Sequence, residues 1–126
     1  MLNTARAILA ARMAEWTTAP ICWPNTAPLT SLNVPWVRFA VLSAGDAYEA
    51  LSAGAPVAEA GRVAVQVFVP SGSGDGTAST LADSVSDLFR NYTSNKLQCG
   101  AIKRQTIGDA DGWYQLNISA PWVITE

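Results

Sequence analysis

The chain has 126 residues, a net charge of −2, 49% hydrophobic residues and only 14% charged ones. That length predicts one domain over residues 1–126, with enough apolar mass for one core. The sparse, scattered charge argues against direct nucleic-acid binding, and the lack of a run of eighteen or more apolar residues argues against a membrane span.

Residues 3 to 17 read as a helix. Asn3 or Thr4 can cap it, and Leu2, Ala5, Leu9, Met13 and Trp16 recur at spacings of three and four, making one apolar stripe. Arg6, Arg12 and Glu15 lie off that stripe, and Arg6 and Arg12 sit within a helical pattern, not ahead of the apolar stretch of a signal peptide. Pro20 ends the helix by disfavouring helical geometry at the residue before it.

Residues 19 to 35 form a long connector with Pro20, Pro24, Pro28 and Pro35. Such length in a compact domain points to a functional or tightly packed segment. The connector holds Trp23 and ends at Pro35-Trp36-Val37-Arg38, which opens a strand over residues 36 to 43. Val37, Phe39 and Val41 share one face of it; Trp36, Arg38, Ala40 and Leu42 share the other.

Residues 46 to 60 carry mixed signals and are read as a short strand followed by a loop at Gly54-Ala55-Pro56. Val63, Val65, Val67 and Val69 then alternate with Arg62, Ala64, Gln66 and Phe68, the mark of a strand with one buried face. The segment Pro70-Ser71-Gly72-Ser73-Gly74-Asp75-Gly76 reads as a flexible loop, and Thr77 or Ser79 is placed to cap the next helix. Leu81, Val85, Leu88, Phe89 and Tyr92 form that helix's apolar face, with Asp83, Ser84, Asp87 and Arg90 outside. Residues 100 to 108 and 112 to 124 complete the pattern as two strands joined by a five-residue loop, Gly108 to Gly112. Tyr114, Leu116, Ile118, Ala120 and Trp122 face inward, and Trp113, Gln115, Asn117 and Ser119 outward. The fold class is α+β: a mixed, largely antiparallel sheet of four to five strands packed by two main helices.

Few residues suggest chemistry. There is no histidine, which removes the commonest general base and metal ligand. Cys22 and Cys99 are far apart with no CxxC spacing, and read as small, semi-buried hydrophobes. The Gly-rich loop lacks the Gly-Lys-Ser/Thr end of a phosphate loop, and Asp75 would oppose a phosphate. Asp109 and Asp111 are too few for a calcium site. The serines have no basic partner for nucleophilic catalysis. The expectation is a protein that is not an enzyme and carries no cofactor or metal.

The remaining candidates are surfaces. Trp23, Trp36 and Trp113 fall outside the core stripes and suit an interface, where tryptophan is enriched; the alternative is that the connector folds over the sheet and buries two of them. Lys103 and Arg104 serve either to protect an edge strand or to form half of a charged subunit contact. The candidate interface comprises Trp23, Trp36, Arg38, Ser71, Gly72, Ser73, Gly74, Asp75, Lys103, Arg104, Asp109, Asp111 and Trp113.

Five features, in order, resemble the phage tail terminator family: a helix with Trp16 near its end; the Ile-x-x-Pro-Asn segment Ile21 to Asn25; the Pro-aromatic-Val-Arg strand start Pro35 to Arg38; the strand, Gly-rich loop and amphipathic helix from Val63 to Tyr92; and the Gly-aromatic-Tyr strand Gly112 to Tyr114. The resemblance implies a structural virion protein at the head-proximal end of the tail, made in the host cytoplasm. It implies a homo-hexameric ring that caps the tail tube, stops its polymerisation and presents a surface to the head connector. The implied partners are further copies of itself, the tail tube protein and a head-completion or connector protein. Another head–tail joining or minor tail protein, or a small-molecule-binding α+β domain, are the alternative readings.

Overall fold

The structure is a computed structural model that describes residues 2–29, 33–48, 57–72 and 75–125. Its elements run α1 (Leu2–Ala14), β1 (Ile21–Cys22), β2 (Trp36–Tyr48), β3 (Val57–Pro70), α2 (Asp75–Phe89), β4 (Thr93–Ser94), β5 (Leu97–Cys99), β6 (Lys103–Ala110) and β7 (Trp113–Thr125). The α+β class stands, but the sheet has seven strands where four to five were expected. The additional strands β1, β4 and β5 are two or three residues long, too short to show a period of two. The sheet is mixed because β1 pairs β2 in parallel; every other pairing is antiparallel.

The strand order is β1-β2-β3-β7-β5-β4, with β6 beside β7 as well. β7 is long enough to serve two partners on one side: β6 takes Trp113 to Ser119, and β5 takes Trp122 to Ile124. Among the described residues β6 has no neighbour on its other side. On the opposite margin β1 covers only Val37 and Arg38 of β2.

Both helices lie on one face of the sheet, α1 over β2 and α2 over β3 and β7. That face carries the alternating set Val37, Phe39, Val63, Val65, Val67, Val69, Leu116, Ile118, Ala120 and Trp122, all buried with Ala5, Leu9, Met13, Val85 and Phe89 of the helices. The stripe read from α1 is the buried one, and Trp16 follows the helix, its backbone N–H donating to Met13 O at 3.0 Å. Its indole Nε1 donates to Ser84 Oγ at 2.9 Å. Ser84 therefore faces α1, contrary to its placement on the outer face of α2. Arg12 is half-buried rather than free: its Nε donates to Leu88 O at 2.9 Å and its guanidinium lies 4.5 Å from the Tyr92 ring centre.

Several boundaries differ from the sequence reading: α1 ends at Ala14 rather than at residue 17, and β6 runs Lys103–Ala110 rather than 100 to 108. α2 starts at Asp75, so Thr77 and Ser79 lie inside it rather than capping it. The short strand expected after residue 46 is the continuation of β2 to Tyr48, and the expected loop at Gly54-Ala55-Pro56 lies outside the described residues. The β6–β7 loop is two residues rather than five. Asp111 at φ 54° and Gly112 at φ 84° form it, both left-handed. An Asp-Gly pair with positive φ at both positions is the favoured tight turn for twisted antiparallel strands.

Candidate functional site

The face of the sheet away from the helices has no covering element among the described ones. Its residues are fixed by register. Arg38 pairs with Gln66, which pairs with Asn117, which pairs with Gln105. Leu42, Arg62 and Lys103 belong to the same face, and a groove of about 510 Å³ runs among Leu42, Arg62, Gln66, Lys103, Gln105 and Asn117. The cationic residues in its lining are Arg62, Lys103 and Arg104, joined along β2 by Arg38, with the Arg104 guanidinium turned to Asp83. No carboxylate among the described residues lines the groove.

One end of this face gathers several of the sequence candidates. The Trp36 and Phe68 rings stack at 4.4 Å, and Trp113 meets Trp36 edge-on at 6.1 Å. The Arg38 guanidinium lies 5.6 Å from the Trp36 ring centre and 5.8 Å from that of Phe68. Pro70 pairs with Trp113, which brings the loop after β3 to the β6–β7 turn. Ser71 fixes that approach twice. Its N–H donates to Gly112 O and its Oγ donates to an Asp109 carboxylate oxygen, both at 2.9 Å. Gly72 follows in a left-handed turn at φ 89°. Trp36, Arg38, Ser71, Gly72, Asp109, Asp111 and Trp113 thus form one neighbourhood.

Trp36 does not offer a free indole there. It is 1% exposed, sealed into the aromatic stack. Its expected place on an open interface is corrected to a core position on the second face, and its Nε1 has no acceptor among the described residues. Trp113 is half-buried over it.

The other candidates lie elsewhere. Trp23 sits at the opposite margin, edge-on to Phe39 at 5.5 Å. It walls a cavity of about 350 Å³ with Arg6, Ala10, Pro24, Phe39 and Val41. Lys103 faces the groove, whereas Arg104, one residue on, faces the helix side. There it pairs with the Asp83 carboxylate of α2 and reaches Ser79 Oγ at 3.4 Å. Arg104 is therefore spoken for within its own chain. Ser73 and Gly74 lie outside the described residues, and Asp75 opens α2.

Both cysteines are free and buried. Burial pushes the Cys99 thiol from 9.0 up to about 11, which makes it a poor nucleophile at neutral pH. Asp83 and Asp87 are exposed and spent on ion pairs, with Arg104 and Arg90 respectively. What the site presents is area: a polar sheet face with cations, an unpaired strand edge and two half-buried tryptophans.

Sequence reasoning missed Ile107. β6 and β7 slip register between Thr106 and Gly108, so Ile107 is an extra residue on the edge strand, and Gly108 takes φ 101° beside it. Ile107 is 48% exposed. The Ile-Gly pair inside a strand was the available signal, because glycine in a strand marks a bulge.

The family model for the phage tail terminator protein matches residues 4–122. The chain belongs to the phage tail terminator protein family. A structural role in the phage tail follows from membership. Among solved structures eleven chains match. One is similar over 98% of this chain and 95% of its own length, with a TM-score of 0.73 and 21% identity. At that identity the likeness shows the fold alone. No curated protein matches this chain.

Proposed function

We propose that this terminator-family protein closes the head-proximal end of the phage tail tube. Copies assemble as a hexameric ring on the finished tube, stop its polymerisation and present a joining surface to the head connector. The observation that carries this reading is the family match over residues 4–122. The surface agrees with it. An open sheet face, an unpaired edge on β6 and a partly uncovered edge on β2 are features that a protein assembled with other chains can cover. Low charge density lowers the desolvation cost of such contacts.

The test is to measure mass by light scattering across concentration, alone and with purified tail tubes, and to image the tubes. The expected result is a ring at one tube end and tubes that no longer elongate when tube protein is added. Tubes that stay bare and keep growing would overturn the reading.

A further inference from the structure

The two margins of the sheet carry complementary features. On the β6 margin the bulge sets Ile107 on an unpaired edge, 48% exposed. It is followed by Asp109 and Asp111, both exposed and neither ion-paired among the described residues. On the β2 margin, just past the two residues covered by β1, lies the cavity of about 350 Å³ between Ala10, Trp23, Phe39 and Val41. Its lining is aromatic and aliphatic, and its one charge is Arg6, exposed and likewise without an ion pair among the described residues.

We propose that the bulge of one copy docks on the β2 margin of the next, with Ile107 seated in the Trp23–Phe39 cavity and Asp109 and Asp111 facing Arg6. The inference rests on the ring reading above and names the contact that builds the ring. The occupant is a second copy because this chain itself supplies both the aliphatic knob and the carboxylates that match the cavity's apolar walls and single cation. The knob and the cavity sit on opposite margins of one sheet, so the contact joins different surfaces of the two copies. Such a contact repeats from subunit to subunit and closes when the rotation permits. Interface hot spots are enriched in Trp and Arg and sit in desolvated pockets, and here the pocket itself supplies Trp23 and Arg6.

Two single-cysteine additions test this, Ala10→Cys and Ile107→Cys, each purified alone and then mixed under oxidising conditions, with and without tail tubes. A covalent dimer is expected only in the mixture, because only unlike surfaces meet. Ile107→Asp, whose site is exposed, is expected to keep the melting temperature of the monomer and to raise the half-assembly concentration by about tenfold or more. Arg6→Glu is expected to do the same, and Arg6→Glu with Asp111→Lys to recover part of the loss. If rings form and the mixture gives no dimer, the docking contact is wrong and the ring reading survives. If the wild-type protein forms no oligomer under any of these conditions, both fail. If Ile107→Asp assembles normally while Val41→Asp loses only tube binding, the cavity holds a different tail protein and the proposal is overturned.

Discussion

Gly61→Ala probes how β7 is fastened to the centre of the sheet. Gly61 and Trp122 are direct cross-strand partners, and the indole of Trp122 folds over the glycine where a side chain would otherwise stand. A Cβ at position 61 would meet Trp122 Cζ2 at 2.7 Å and Cε2 at 2.9 Å, and the Leu42 carbonyl oxygen more closely still. Carbon atoms in good contact sit about 3.5–4.0 Å apart, so the ring must retreat by about 1 Å, and protein cores are close-packed. Overpacking of this kind costs about 1–3 kcal/mol. Replacing glycine by alanine in a strand returns about 0.5–1 kcal/mol of backbone entropy, but the clash with the Leu42 carbonyl also strains the β2–β3 pairing. The expected net loss is about 2 kcal/mol, which for a domain of this size lowers the melting temperature by about 6–12 °C. Circular-dichroism melts and urea midpoints at one fixed low protein concentration measure it, because assembly would itself shift the apparent stability. A melting temperature within about 2 °C of wild type would refute the argument and show that Trp122 does not lie over Gly61.

Trp16→Phe removes the indole N–H that ties the end of α1 to Ser84 and is expected to cost about 1–2 kcal/mol in urea denaturation. Arg104→Ala removes an ion pair whose Asp83 partner is mostly exposed, and is expected to change the urea midpoint by less than about 0.5 kcal/mol equivalent. The raised Cys99 thiol makes stability depend on alkaline pH. The folded protein keeps its proton up to about 11, whereas the unfolded thiol releases it near 9.0, so this contribution is fully present below pH 9 and is lost as pH rises through 11. Cys99→Ala is expected to flatten the fall in urea midpoint between those values, and parallel curves for the two proteins would refute it.

The alternation of valines from Val63 to Val69 and the spacing of Ala5, Leu9 and Met13 determined which faces of β3 and α1 are buried, because burial on one side imposes a period of two on a strand and close to 3.6 on a helix. The same logic placed Leu116 to Trp122 in the core. The order of the short motifs pointed to the terminator family. Tertiary structure decided the rest. Trp36 is out of phase with the core, yet Phe68 of β3 and Trp113 of β7 arrive from other parts of the chain to bury it, beside Arg38 of its own strand. Arg104 sits one residue from Lys103, yet the pleat sends it to Asp83 on the other face. The strands β1 and β5 exist only because β2 and β7 offer edges to pair with, and β4 because β5 then offers its own. Ile107 beside Gly108 and Trp23 in the connector are visible in the sequence, but only the strand order places the exposed bulge and the Trp23 cavity on opposite margins of one sheet. Periodicity is local and can be read along the chain. Strand order, a bulge on an edge and the contents of a cavity depend on residues far apart in sequence, and only the folded sheet brings those together.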